Sequence, residues 1–332
     1  MPSLISLRDE IILSITKASS ICIMSHINPD GDGFCASLAL QRLFRTMGHK
    51  SVIVVDQGSL MRYEHLMKDA RIELYTDELN FDLVVVLDCN STDRLGERKQ
   101  FLASAGKVIL IDHHVPEHNL INADYSFIET SFVSVGAIVH QCFKDDIAHL
   151  PEPDRLFIAE NLYTSILNDT NNYANANTNA EVFRIASEIT QLGIHPHLLY
   201  KQYFLNQTAS EMRYTGQVLS TIELHLNKRI LFMDSTLEML QENELDDEDV
   251  MNITRWVQGV KGLEAIVYFR EEAPNLYKLS LRSVRLNVNQ IAVKYGGGGH
   301  RSASGAHYKG ELSTIKKELL EEFSRALDTI DK

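Results

Sequence analysis

Four short segments carry carboxylates and imidazoles that could act together. They are Ser25-His26-Ile-Asn-Pro-Asp30-Gly-Asp32, Asp88 after Leu83–Leu87, Asp112-His113-His114, and Asn168-Asp169-Thr170. The donors are mainly carboxylate oxygens with a little imidazole and no thiolate, a set that suits Mn²⁺ or Mg²⁺ better than structural zinc. Five aspartates in one crevice (Asp30, Asp32, Asp88, Asp112, Asp169) would repel one another. Two divalent ions, +4 against −5, would offset that charge. A pair about 3.5–4 Å apart activates water and stabilises charge on a phosphoryl group. Asp88, at the end of what reads as a central strand, is the natural carboxylate to lie between the two. Singly, each segment has a plainer reading: a turn at Asp30-Gly31, a cap at Asp88, ordinary histidines at 113 and 114, a helix end at Asp169. Their joint occurrence after strand-like runs is what argues for chemistry.

The elements that must position these residues are legible as apolar runs between helical patterns. Ile21–Met24, Ser51–Val55, Leu83–Leu87 and Val108–Ile111 read as strands, with a helix over Phe34–Met47. Continuous Val/Ile/Leu runs of this kind belong to a parallel sheet buried on both faces. Ligands bind beyond the carboxyl ends of such strands, where the first three segments lie. Pro151–Ile166 and Ala180–Leu192 read as helices, and His195–Leu224 as a long, mostly helical connector. A second unit follows, with strands at Arg229–Met233, Leu263–Phe269 and Tyr277–Leu281 and helices near Val250–Trp256, Asn289–Tyr295 and Ser313–Leu327. That order predicts a smaller α/β domain on a mixed sheet. The expected division is 1–190, a connector at 191–225 that lets the domains open and close, and 226–332.

The chain has 332 residues, 44% hydrophobic and 23% charged, with a net charge of −13. This composition excludes a disordered or disulfide-dense chain. The acidic balance argues against holding long nucleic acid, which needs a basic footprint. It leaves room for a small phosphorylated substrate. Four scattered cysteines, no signal segment and no long apolar stretch predict a cytoplasmic protein without a membrane span. The acidic run Glu242–Asp249 reads as a solvated loop and helix start.

The full pattern resembles the DHH phosphoesterase superfamily. His26-Ile-Asn-Pro-Asp30-Gly-Asp32 is similar to its first motif, and Leu87-Asp88-Cys-Asn-Ser-Thr-Asp-Arg94-Leu-Gly96 to its second. Ile111-Asp112-His113-His114 resembles the motif that names the family, and Leu162–Thr170 the fourth. Gly296–Gly299 with His300-Arg-Ser-Ala-Ser-Gly305 resembles the signature of the DHH-associated domain, and Lys278-Leu-Ser-Leu-Arg282-Ser283 its preceding strand. The resemblance covers nearly the whole chain and is greatest to the bacterial nanoRNases. These degrade very short RNA and dephosphorylate 3′-phosphoadenosine 5′-phosphate (pAp).

The resemblance implies one ion on His26, Asp30 and Asp88, and a second on Asp32, Asp88, His113 and Asp169. It puts His114 on the scissile phosphate, with Asp112 orienting a neighbouring histidine. It implies substrate contacts from Arg94, Arg282, Ser283, Gly297, Gly298, Gly299 and His300. The expected activity is Mn²⁺-dependent (Mg²⁺ being the other candidate) release of mononucleotides from short oligoribonucleotides, dinucleotides such as pApA included, and conversion of pAp to AMP. A homodimer is compatible with it. The alternative is a phosphodiesterase for cyclic di-AMP. A pyrophosphatase, a noncatalytic sensor and a long-strand exonuclease fit less well. Some positions depart from the family pattern: Gly33 to Ala36 replace an Ala-x-Gly-Ser run, Asn171 stands for glycine, Ala174 for arginine and Ser304 for alanine.

Read from chemistry alone, four successive glycines let a backbone approach a ligand and offer unblocked amides. Arg282 could clamp a terminal phosphate bidentately. His300 could stack on, or hydrogen-bond to, a terminal nucleotide.

Overall fold

The computed structural model describes residues 3–56, 60, 63–116, 118–246, 253–299 and 301–330. His300, the end of the acidic run (247–249) and the start of the helix expected from Val250 lie outside the described residues. The chain divides into two compact units, Met1–Asn206 and Gln207–Lys332.

The first unit runs α1 (Leu4–Lys17), β1 (Ile21–Met24), α2 (Gly31–Thr46), β2 (Val52–Val55), α3 (Glu64–Met67), β3 (Ile72–Leu74) and β4 (Leu83–Leu87). It continues α4 (Gln100–Ser104), β5 (Lys107–Asp112), β6 (Tyr125–Ile128), α5 (Val135–Ala148), α6 (Glu152–Asp169), α7 (Ala180–Thr190) and α8 (Pro196–Phe204). Its six strands form one parallel sheet in the order β3-β2-β1-β4-β5-β6. The sheet is fully parallel because its strands are apolar on both faces: every residue of β1, β2 and β4 is buried. Ile21, Ile23, Val85, Leu87, Ile109 and Ile111 meet helices α1, α2, α5, α6 and α7. Alternate residues, among them Cys22, Met24, Val84 and Val86, turn the other way onto Phe81, Leu95 and Phe101. α2 is buried from Gly31 to Phe44, as expected of a helix enclosed on all sides. Strand order reverses between β1 and β4, the switch point beyond which parallel sheets bind ligands.

The second unit contains α9 (Ala209–Ser220), β7 (Glu223–His225), β8 (Ile230–Ser235), α10 (Leu237–Glu242), β9 (Ala265–Ala273) and β10 (Leu276–Ser283). It ends with α11 (Val288–Lys294), β11 (Gly298–Gly299), β12 (Ala303–Lys309) and α12 (Leu312–Ile330). The sheet order is β11-β12-β10-β9-β8-β7, with β8 and β9 parallel and the other pairs antiparallel, so the sheet is mixed as expected. Strand alternation separates two layers. Ile230, Phe232, Val267 and Phe269 pack with α11 and α12, and Leu231, Met233, Ile266 and Tyr268 with Tyr214 and Val218 of α9.

The mostly helical stretch expected over His195–Leu224 consists of two helices and a short strand. α8 stops at Leu205, and Thr208 starts α9 through a capping box, accepting from the Glu211 amide while the Glu211 side chain accepts from the Thr208 amide. The residues expected as a connector therefore divide, α8 with the first unit and α9 and β7 with the second. No described helix is long and apolar enough to cross a membrane. All four cysteines are free and buried.

Candidate metal centre

The first motif loop leaves β1 and turns directly into α2. Asp30 is the N-cap of that helix, accepting from the amides of Asp32 (2.9 Å) and Gly33 (3.3 Å). Burial works against ionised Asp30, but the His26 ring and the two amides outweigh it and hold the carboxyl below its ordinary range. His26 Nδ1 donates to the Ile27 carbonyl at 2.7 Å, which leaves the Nε2 lone pair facing inward. That nitrogen lies 3.9 Å from Asp30 Oδ1 and 3.7 Å from Asp88 Oδ2. Gly33 is required here, since an added Cβ would sit 2.8 Å from Ser25 Cβ and 3.0 Å from Asp88 Oδ2.

Asp32, two residues on, is wholly buried. Its Oδ2 accepts the Val135 amide at 2.7 Å, and its Oδ1 accepts the Gly136 amide at 3.1 Å and the Ser165 hydroxyl. The carboxylate is thus seated on the amino end of α5, where orphan amides favour an anion. Burial, then the charge of Asp169, still push its pKa up to about 8.

Asp88 follows β4 with φ of 59°, a left-handed residue whose amide remains bonded to the Ile111 carbonyl at 3.0 Å. Its Oδ1 lies 3.4 Å from His113 Nε2 and 3.4 Å from His114 Nδ1. Burial and the neighbouring Asp32 charge raise its pKa well above the usual value. His113 Nε2 is also 3.4 Å from Asp32 Oδ2 and 3.1 Å from Asp169 Oδ2. Burial alone would lower the His113 pKa, but Asp169, Asp88 and Asp32 overcome it and lift it to about 11. A cluster that keeps a proton so firmly is short of positive charge.

Asp112 is fully engaged. Oδ1 accepts the amides of His113 (2.8 Å) and His114 (3.2 Å) and lies 2.9 Å from His114 Nδ1, while Oδ2 accepts Asn90 Nδ2 at 2.6 Å. Burial opposes its ionisation, yet the bonds and charge of His114 keep its pKa low. It therefore holds the histidine pair in place.

Asp169 is the last residue of α6, and Asn175 and Asn177 tie the following turn to its carbonyl. Asn171, Asn172 and Tyr173 are all left-handed, with φ of 46°, 55° and 63°. Asparagine at 171, where the family pattern has glycine, is a side chain that tolerates this conformation.

The carboxylate and imidazole atoms thus gather as His26-Asp30-Asp88, as Asp32-His113-Asp169, and as Asp88-Asp112-His113-His114. Asp88 Oδ1 and His113 Nε2 are buried without a hydrogen-bond partner among the described residues, as expected where a cation would complete the site. The residues present fit divalent ions of the Mn²⁺ or Mg²⁺ type. Sequence reasoning missed the Val135 and Gly136 amides, Ser165 and Asn90. Of these only the two amides had a readable signal, through Ser134, which caps α5 just before them.

Arg94, Arg282, Ser283 and the glycine run are not among these groups. Arg94, half-buried in the turn after Asp88, accepts the Ile27 amide on its carbonyl at 2.7 Å, tying the first two motif loops together. In the second unit Arg282, next to last in β10, is half-buried, with its Nη1 on the Leu281 carbonyl at 3.0 Å and no carboxylate partner among the described residues. Burial lowers its pKa. The Ser283 hydroxyl donates to the Glu264 carbonyl at 2.7 Å and accepts the Leu286 amide at 2.8 Å, so it closes a turn. The glycine run follows a helix rather than starting one. The Gly296 and Gly297 amides bond back to Val293 (3.1 Å) and Ala292 (3.0 Å) and close α11, which takes the Gly297 amide out of reach of a phosphate. Gly298 and Gly299 pair with Gly305 and Ser304 of β12.

Comparison with known proteins gives a consistent answer. The N-terminal domain of the DHH family matches residues 20–166, and the DHHA1 domain matches residues 235–331. A protein of Thermus thermophilus named bifunctional oligoribonuclease and PAP phosphatase NrnA is 31% identical, over 94% of this chain and 92% of its own. Proteins of the same name from Mycoplasma pneumoniae and Bacillus subtilis are 26% and 24% identical, over 92% and 90% of this chain and 93% of each relative. An exopolyphosphatase-related protein of Bacteroides fragilis shares the fold, with a TM-score of 0.85, 24% identity and 97% of both chains covered.

Proposed function

The chain belongs to the DHH family of phosphoesterases, and from that premise we propose that it degrades very short oligoribonucleotides to mononucleotides and converts pAp to AMP. The observation that carries this reading is the position of Asp88. Its Oδ2 faces His26 at 3.7 Å and its Oδ1 faces His113 at 3.4 Å, so a single carboxylate serves two ligand groups. His26, Asp30 and Asp88 would hold one ion, and Asp32, Asp88, His113 and Asp169 the other. When bound, two such ions, Mn²⁺ in our reading, polarise a phosphoryl oxygen and lower the pKa of water.

The chain's own groups do the rest. Asp32 is fixed by α5, so its half of the site is formed before substrate arrives. Asp112 holds His114 by Nδ1, which leaves Nε2 to meet the scissile phosphate. Arg282, without a carboxylate partner among the described residues, is suited to a terminal phosphate. Gly298, Gly299, Ser283, Arg94 and His300 remain substrate-contact assignments within this reading. So do the roles of the two compact units, catalytic for the first and substrate-binding for the second. The partners are short RNA, dinucleotides and pAp rather than long strands or membranes, and a homodimer is compatible. Free, buried cysteines accord with the reducing cytoplasm.

The test is a panel of initial rates with Mn²⁺ on pAp, pApA, RNA ladders, cyclic di-AMP and pyrophosphate. Turnover of pAp and of the shortest RNAs is expected. Preference for cyclic di-AMP or pyrophosphate would reject the assignment.

A further inference from the structure

Asp169 is reached by a hydrogen-bonded chain that begins outside the four motif segments. The Tyr203 hydroxyl, in the last turn of α8, donates to Asn168 Oδ1 at 2.6 Å. Asn168 Nδ2 in turn donates to Asp169 Oδ1 at 2.9 Å. An ionised carboxylate only accepts, so the Asn168 amide must turn its NH₂ toward Asp169, and its carbonyl end then needs a donor. Tyr203 is that donor. With Oδ1 so held, Oδ2 is the oxygen that faces His113 Nε2, at 3.1 Å.

The surroundings keep the phenol in place. Its ring stacks on buried Tyr63, with centroids 6.3 Å apart, and Tyr63 donates to the Pro29 carbonyl beside Asp30 at 3.3 Å. Gly31 provides the room, since an added Cβ there would lie 2.2 Å from the Tyr203 hydroxyl oxygen and 2.9 Å from Asn168 Oδ1. The start of α2, the end of α6 and the end of α8 therefore converge on one phenol–amide bond.

We infer that Tyr203 is a positioning residue for metal binding, which through Asn168 selects the oxygen that Asp169 presents to the ion shared with Asp32 and His113. The inference rests on the two-ion reading above. It assigns to α8, a helix with none of the ligands, control over one of the two ion sites.

The test is direct Mn²⁺ binding to the full chain, by calorimetry and by electron paramagnetic resonance of free Mn²⁺. Wild type, Tyr203→Phe, Asn168→Ala and the double variant are compared. Tyr203→Phe should weaken one ion site about tenfold and spare the other, as loss of a supporting hydrogen bond does. Its metal-free unfolding midpoint should stay within about 3 °C of wild type, a surface-scale effect. The double variant should bind no more weakly than Asn168→Ala, because both changes break one chain. Wild-type affinity at both sites in Tyr203→Phe overturns the inference. So do equal losses at both sites with a lowered metal-free midpoint, and so do additive losses in the double variant. A wild-type chain that does not take two ions rejects the two-ion reading itself, whatever the variants do.

Discussion

Asp88 Oδ1 and His113 Nε2 face each other at 3.4 Å, both buried, and neither is hydrogen-bonded among the described residues. Buried polar atoms are rarely left this way without a reason. If the reason is an ion, Asp88→Asn should abolish turnover with Mn²⁺, by about 10³-fold or more, which corresponds to several kcal/mol of lost electrostatic stabilisation. Removing one charge also relieves repulsion with Asp32. Thermal melts should therefore show the metal-free variant at least as stable as wild type. Wild type should gain about 2.7 kcal/mol per ion bound at a hundredfold excess of Mn²⁺ over Kd, and the variant almost none.

Asn90 acts on the histidine pair from behind, through its 2.6 Å bond to Asp112 Oδ2. Asn90→Ala should lower kcat about tenfold and leave KM and Mn²⁺ affinity nearly unchanged, the pattern for a group that supports rather than binds. Steady-state kinetics with pAp and a Mn²⁺ titration would show it.

Arg282→Gln keeps most of the side chain and removes the charge. If Arg282 takes a terminal phosphate, KM for pAp should rise about 10- to 100-fold, the worth of a charged hydrogen bond, with kcat changed less than about threefold. The unfolding midpoint should hold, because no ion pair among the described residues is lost.

Two neighbouring glycines separate packing from binding. A Cβ at Gly297 would lie 2.0 Å from the Gly305 carbonyl oxygen, whereas one at Gly298 meets nothing within 4 Å. Gly297→Ala should destabilise the chain by about 1–3 kcal/mol, as overpacking does. Gly298→Ala should melt like wild type, so any rise in its KM reports contact with substrate.

Arg8 clamps Asp146 with bonds of 2.8 and 2.7 Å and joins α1 to α5. The Arg8 hydrogen bond holds the Asp146 pKa below its unfolded value of about 3.9. The pair's contribution is thus present above about pH 4 and disappears as pH falls through the folded pKa. Both side chains are partly exposed, so Arg8→Ala should lose only about 0.5 kcal/mol at pH 7. The difference should shrink toward zero near pH 2 in urea melts.

Much of this was legible in the sequence because burial writes itself in apolar runs. Leu83–Leu87 is buried throughout and could hardly be read otherwise. β3 and β6 escaped, since edge strands such as Ile-Glu-Leu and Tyr-Ser-Phe-Ile are only partly buried and carry no run. α1 escaped despite Leu7, Ile11 and Ile15 at helical spacing, and α5 because Val133–Val139 reads equally as strand or helix. The start of α9 is written in Thr208-Ala-Ser-Glu211, a capping box. Within the site, aspartates and histidines announce themselves. The backbone amides that seat Asp32 do so only indirectly, through the Ser134 cap, and the phenol that reaches Asn168 does not, because α8 joins the site only through folding.

The left-handed backbone at Asp88, with φ of 59°, restricts which residues can occupy that position at all. Most side chains would lose about 1–2 kcal/mol there, while asparagine and aspartate are at ease and glycine is free. Asparagine is thus the one replacement that removes the charge yet keeps both the shape and the turn. An alanine scan through residue 88 would confound a misfolded corner with a missing ligand. If Asp88 holds an ion, Asn at this position should silence the site on an intact scaffold, whereas Ala should also strain the turn.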